Sequence, residues 1–244
     1  MKRWLAITLW GLTASAMAEL EHLEYFTEEY PPYSYTTAQG EVTGLAVETL
    51  KEVWQRTGTP PQPIRVLPWA RGYYLLTQKP NVVLFSTART AVRYPLFKWA
   101  CPIGYSEYVL LGLSKRALTL TTDAELGRYS IAAVRADASE QLLLNKGMDD
   151  TRIVPANRLG QALRMLLSGR VDLVATGTLA ANDTIKEMGI DPASISKAYT
   201  LSAEELCYAF SRAVSDETVQ RFQLGLTGTL ASPHYGALQR RFMP

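Results

Sequence analysis

Short apolar runs alternate with helical repeats along most of this chain. Residues 20–26 and 64–67 read as strands. Between them, Leu45, Val47, Leu50, Val53 and Trp54 mark one face of a helix over 45–56 that Gly58 stops. A short helix over 70–77 leads into Val82-Val83-Leu84-Phe85, an apolar run bounded by Asn81 and Ser86-Thr87 as expected of a buried strand. A second unit repeats the order. Strands are predicted over 108–113 and 129–134, a helix over 139–146 ended by Gly147, and a strand over 152–154. A helix over 159–167 stopped by Gly169, a strand over 171–175 and a helix over 178–188 follow, then strands over 195–200 and 206–211. Helices over 215–230 and 233–242 close the chain, the last opened by Ser232-Pro233 as N-cap and first-turn pair.

Such β-α-β-α order predicts sheets with parallel strands and right-handed crossovers. No Gly- or Ser-rich linker divides the two units, which share an order of elements but no repeated residues. The chain is expected to cross from one lobe to the other near 101–108 and to return near 199–206. This gives one lobe of residues 19–103 plus 205–244, a second of residues 104–204, and a hinge shared between them.

The first residues carry a different pattern. Lys2-Arg3, an apolar stretch from Trp4 to Thr13 and the small-residue site Ala16-Met17-Ala18 predict a signal peptide over 1–18, cleaved on export to the periplasm. The apolar stretch is too short for a spanning helix. The whole chain carries a formal charge of +2, and Lys2 and Arg3 leave with the leader, so the remainder is close to neutral. That balance argues against nucleic acid as a partner, because phosphate binding needs a basic surface. Cys101 and Cys207 would meet an oxidising compartment, either as two separate buried residues or as one disulfide. Each lies beside one of the two crossings, which makes them a disulfide candidate on one side of the hinge.

Candidate chemistry gathers at the end of the 82–85 strand. In open α/β sheets, ligands collect beyond the carboxyl ends of strands. There Ser86, Thr87, Arg89 and Arg93 follow in close order, and an arginine fork beside hydroxyls suits a carboxylate. Trp69, after Pro68, would supply a flat apolar wall. Each residue also has an ordinary structural reading: the arginines as surface ion pairs, Trp69 and Tyr30 as core aromatics.

Taken together, the ordered motifs resemble the bacterial extracellular solute-binding proteins of family 3, periplasmic receptors typified by polar amino-acid-binding proteins of ABC transporters. The resemblance rests on Tyr30-Pro31-Pro32-Tyr33, Gly44-Leu45, Thr90-Ala91-Val92-Arg93 with Phe97-Lys98-Trp99, Gly169-Arg170-Val171-Asp172-Leu173-Val174 and Tyr208-Ala209-Phe210-Ser211. It implies a type II periplasmic-binding-protein-like fold, two α/β lobes joined by a two-strand hinge. By position, Arg93 matches the arginine that grips the ligand carboxylate, and Ser86, Thr87 and Arg89 lie in the adjoining loop. Tyr30 and Trp69 match aromatic positions at the ligand. In the second lobe Arg135 and Ser139 flank a helix start, where anions are favoured. One position departs from the pattern. The family's ammonium-binding aspartate falls on Gly177 here, so a cationic group would need another acid, such as Glu28 or Glu29.

Catalytic patterns are lacking. His22 and His234 stand in no nucleophile–base arrangement, and there is no phosphate loop, zinc spacing or dinucleotide fingerprint. The expectation is therefore a binding protein, not an enzyme, with no cofactor and no metal. It would be a monomer that captures a small carboxylate-bearing, amino-acid-like solute by hinge closure for an inner-membrane permease. The alternatives are a ligand-sensing module that feeds a membrane signalling protein and a periplasmic dehydratase on the same scaffold.

Overall fold

A computed structural model describes residues 20–243; the leader predicted over 1–18 lies outside them. Ten strands and seven α-helices run in the order β1 (Glu24–Thr27), β2 (Tyr35–Thr36), β3 (Val42–Thr43), α1 (Leu45–Thr57), β4 (Ile64–Val66), α2 (Trp69–Gln78), β5 (Val82–Ala88) and β6 (Lys98–Leu113). They continue with β7 (Ile131–Val134), α3 (Ala138–Asn145), β8 (Ile153–Ala156), α4 (Leu159–Leu167), β9 (Leu173–Gly177), α5 (Thr178–Glu187), β10 (Ile195–Phe210), α6 (Asp216–Leu230) and α7 (Pro233–Phe242).

Eight strands form one sheet in the order β4-β1-β5-β10-β6-β9-β7-β8, while β2 and β3 pair separately. At one end β4, β1 and β5 are parallel, and at the other β9, β7 and β8 are parallel. The antiparallel pair β6 and β10, each 16 residues long, runs between these wings and stays paired from Phe210–Lys98 to Ile195–Leu113. Among the described residues, only these two strands carry the sheet from one half to the other.

Helix α1 forms where the apolar spacing places it. It buries Leu45, Leu50, Val53 and Trp54, and it ends at Gly58, whose left-handed φ of 65° receives the last turn. Each such fully buried aliphatic contributes about 1.5–3 kcal/mol relative to exposure. Gly44 opens the helix at φ 124°, and a Cβ there would lie 2.4 Å from the Tyr33 carbonyl oxygen, so the Gly-Leu pair seats the helix directly on the proline-aromatic loop.

Three differences from the periodicity stand out. The strand predicted from residue 20 begins only at Glu24, because Leu20 and Glu21 are helical. The hinge strands are longer and more continuous than the apolar runs suggest. In β6, residues 98–107 carry Pro102, Gly104 and Glu107 and are buried only intermittently, so no period-2 stripe marks them. In β10, the two predicted strands are one, with register shifts at Lys197/Tyr199, Thr200/Ser202 and Leu206/Tyr208 that break the alternation. Cys207 sits at the last of these shifts and is disulfide-bonded to Cys101. No described helix is long and apolar enough to cross a membrane.

Candidate functional site

A cleft of about 950 Å³ lies between the two halves of the sheet. One wall comes from the loop after β1 (Glu28 to Pro31) and the β4–α2 junction (Val66 to Trp69). The other comes from Tyr108 on β6, Asp137 before α3, Asn157 to Arg164 around α4, and Thr176 to Thr184 around α5. Glu28 to Pro31, Val66 to Trp69, Asp137, Asn157 and Thr176 to Thr178 stand at strand ends or helix starts, where the topology leaves a crevice.

The two walls touch through Ala136. This residue adopts a left-handed φ of 60°, which turns its carbonyl towards the opposite half. Two donors from that half reach it: the Trp69 indole at 2.7 Å and Arg93 Nη2 at 3.0 Å. Its own N–H donates to Glu140 Oε2 at 2.6 Å, holding the turn. Arg93 also donates through Nε to Gln141 Oε1 at 2.8 Å. Its guanidinium carbon sits 4.8 Å from the centre of the Trp69 ring and 5.1 Å from that of Tyr73. Arg93 is completely buried, with its charge set against two aromatic faces, a carbonyl and an amide.

Trp69 and Tyr30 border the cleft. Tyr30 stacks on Tyr33, and its hydroxyl lies 3.0 Å from Ser106 Oγ. That hydroxyl accounts for Gly177. A Cβ at position 177 would lie 2.6 Å from Tyr30 Oη and 2.8 Å from Ser106 Oγ, so the volume an aspartate would need is already filled.

Three acids, Glu28, Glu29 and Asp137, line the cleft. Glu28 borders the cleft, and its carboxyl is held well above the usual carboxylate range. Burial is the main cause and the nearby Asp137 and Glu29 add to it, while Arg93 acts in the opposite sense. Asp137 is the N-cap of α3 and accepts from Ser139 Oγ at 2.7 Å, which leaves its other oxygen without a hydrogen bond among the described residues. Glu29 is committed to the Thr36 backbone and hydroxyl.

The other residues expected at the ligand are not among those that line the cleft. Arg93 stands behind the contact to Ala136 and does not border the cleft. Arg89 pairs with Glu205, donating through Nε at 3.0 Å and through Nη2, and packs on Tyr94 beside the disulfide. Ser86 is buried with its hydroxyl 3.3 Å from Ser34 Oγ, and Thr87 donates to the Leu84 carbonyl at 3.0 Å. Arg135 is exposed, outside the cleft lining. Ser139 acts on Asp137. Asp172 ties the start of β9 to the start of β7, accepting from the Ser130 N–H at 2.9 Å and hydroxyl at 2.8 Å, and it pairs with Arg116 at 2.6 Å. Asp137, Arg158 and Arg164 were not singled out from sequence. The Asp137-Ala138-Ser139 run ahead of an apolar helix is a local N-cap signal for the first, whereas the two arginines read as ordinary surface charge.

No family model and no curated protein matches the chain. Solved structures do. A histidine kinase sensor domain with similarity to periplasmic binding proteins superposes with a TM-score of 0.80 at 18% identity, covering 92% of this chain and 97% of that one. Tv2483 bound to L-arginine gives 0.78 at 18%, covering 94% and 93%. The arginine-, lysine-, histidine-binding protein ArtJ from Geobacillus stearothermophilus gives 0.76 at 16%, covering 91% and 94%. At these identities the likeness establishes the fold, a periplasmic-binding-protein-like α/β architecture over nearly the whole described chain.

Proposed function

We propose that this protein is a periplasmic solute receptor that closes its two lobes, residues 19–103 plus 205–244 and residues 104–204, around a small polar, amino-acid-like molecule. The observation that carries the reading is the cleft itself. It lies between halves joined by only two strands, has Tyr30 and Trp69 in its walls, and is bridged by hydrogen bonds from Trp69 and Arg93 to Ala136. A two-strand connection with a cross-cleft contact is the geometry of hinge closure, and ligand favours closure only as far as it binds the closed state better.

Glu28 and Asp137 take the part of the acid absent at Gly177, so a cationic group on the solute has a partner here. Arg93 acts by fixing the second lobe against Trp69. Delivery to an inner-membrane importer fits the amino-acid receptors of like fold. Reporting to a membrane signalling protein is the second reading, favoured by the fold match to a histidine kinase sensor domain.

A thermal-shift screen of the protein lacking residues 1–18 against amino acids, dicarboxylates, polyamines and aromatic acids tests the receptor reading. A true ligand at 100 times its Kd adds about 2.7 kcal/mol to stability by mass action and raises Tm accordingly. Trp69→Ala should erase the shift. A screen in which no member of these classes shifts Tm overturns the proposal.

A further inference from the structure

Three metal-ligating side chains meet on the hinge strands, outside the cleft lining. Cys101 on β6 and Glu205 and Cys207 on β10 each bring one donor atom within 4.8 Å of the other two, the only such group of His, Cys, Asp and Glu among the described residues. Register explains the meeting. Between the pairs Leu206–Gly104 and Tyr208–Ala100, β6 runs through Cys101, Pro102 and Ile103 while β10 runs through Cys207 alone. The ladder leaves the Cys101 peptide unpaired, and Gln223 of α6 takes it over, accepting from its N–H at 2.8 Å and donating to its carbonyl at 2.9 Å. Cys101 and Glu205 border a recess of about 590 Å³, so the group opens to the outside although Cys207 itself is fully buried. Both Arg89 bonds end on Glu205 Oε2, whereas Oε1 has only the 3.4 Å contact of the Tyr105 hydroxyl.

We propose that the reduced form of this protein binds one Zn²⁺ through the Cys101 and Cys207 thiolates and a Glu205 carboxylate oxygen, so that a metal replaces the disulfide as the cross-link between the hinge strands. The oxidised form has no free thiolate to offer. A dithiol opens the site. One of its thiolates attacks a cysteine sulfur, its second sulfur closes the reductant's own disulfide, and two electrons and two protons pass to the cysteines. Zinc then displaces the two thiol protons. Two sulfurs at ~2.3 Å from a tetrahedral zinc stand about 3.8 Å apart. Rotation of the two side chains supplies that separation across strands whose Cα atoms are 4.7 Å apart, and the unpaired stretch of β6 gives them room. Water takes the fourth position, as where three protein ligands hold zinc.

Charge and donor type select the ion. Two thiolates and Glu205 carry three negative charges, and Arg89, paired with Glu205, carries one positive charge. A divalent cation brings the set to neutrality, whereas a monovalent one leaves a charge unbalanced in a partly buried place. Thiolate donors disfavour Mg²⁺ and Ca²⁺, which take oxygen ligands.

Cobalt(II) reads sulfur ligation directly, through a thiolate-to-metal charge-transfer absorption that oxygen donors do not give. The protein is reduced with a phosphine, which becomes the phosphine oxide and does not compete for metal as a thiol would. It is then titrated with Co²⁺, and with Zn²⁺ against a chromophoric chelator. The expected result is one equivalent bound, a charge-transfer band that Zn²⁺ abolishes, and a zinc-dependent rise in Tm that the oxidised protein lacks. Glu205→Gln should weaken zinc binding by at least the roughly 10–100-fold that loss of even an outer partner costs a metal site. Alkylating both thiols of the reduced protein should abolish the band with no change of sequence.

Far-UV circular dichroism follows the fold throughout. A reduced chain that unfolds and is restored by Zn²⁺ supports the site, and one that stays unfolded with zinc present overturns it. Absence of the band, equal zinc affinity in the reduced and oxidised protein, or an affinity indifferent to Glu205→Gln also overturns it.

Discussion

Replacing Arg93 with alanine removes the most buried charged side chain among the described residues and one of the two donors that reach the Ala136 carbonyl across the halves. The guanidinium makes bonds of 2.8 Å to Gln141 and 3.0 Å to Ala136 and lies against Trp69 and Tyr73. Hydrogen bonds from a charged group contribute about 1.5–3 kcal/mol each, and a desolvated cation–π contact about 2 kcal/mol. These contributions overlap. Breaking a buried charged set by deleting one partner typically costs about 3–5 kcal/mol. Most of that loss should fall on the closed arrangement and little on either core, because the two shorter bonds go to the opposite half, the bond to the Ala88 carbonyl of its own half is long at 3.5 Å, and the local turn is kept by Arg93's own backbone N–H to Thr90 Oγ1 at 3.3 Å.

A shift of 3–5 kcal/mol multiplies the open-to-closed ratio by roughly 10²–10³ or more. Arg93→Ala should therefore raise the radius of gyration measured by small-angle X-ray scattering while preserving the far-UV circular dichroism spectrum. A double-mutant cycle with Gln141→Ala should return a coupling of about 0.5–3 kcal/mol, as for residues in one hydrogen-bond network. Trp69→Phe, which loses only the 2.7 Å indole bond, should open the cleft less, by about 1 kcal/mol. An unchanged scattering profile together with additive single mutants would refute the bridge across Ala136.

Three further outcomes can be measured directly. Reducing the Cys101–Cys207 bond, which spans 106 residues of sequence, should lower the unfolding free energy by about 2–4 kcal/mol in denaturant titrations; equal stability with and without reductant would show that the bond contributes nothing. Glu28 sits with its pKa raised above the ordinary 4.5 by burial and by the charges of Asp137 and Glu29, with Arg93 opposing. The folded state thus binds the extra proton, so the group's stabilising contribution is fully present below pH 4.5 and is lost as pH rises through the folded-state pKa. Glu28→Gln should flatten that decline in Tm against pH, and an identical slope in mutant and parent would contradict it. Gly177→Ala should cost about 1–3 kcal/mol by overpacking against Tyr30 and Ser106, and Tyr30→Phe should recover part of the loss; full stability of the single mutant would mean that the Tyr30 hydroxyl does not fill that space.

What could be read from the chain and what could not divide along a physical line. Helix α1 and strand β5 were legible because each is buried by its own periodic pattern. The apolar face of α1 recurs at helical spacing, and β5 is buried at all seven positions. The hinge strands were not, because a segment that crosses between halves is covered irregularly and its register shifts erase the alternation. The site divides similarly. Tyr30 and Trp69 border the cleft because their positions follow from the loops that strand order creates. Arg89 carries the same functional groups as Arg93, but its destination is set by Glu205, 116 residues away, which returns on β10 beside it and takes the guanidinium out of the cleft. Arg93 likewise lies where Ala136 and Gln141 of the other half engage it. Gly177 makes the point from the opposite direction. Its missing side chain reads in sequence as a missing function, yet in the fold the space belongs to a tyrosine hydroxyl anchored on another loop, and the acids Glu28 and Asp137 border the cleft from other segments. A donor's chemistry is thus local to its residue, while the partner that claims it is assigned by topology. In a two-half protein the partners that matter most are those arriving from the other half.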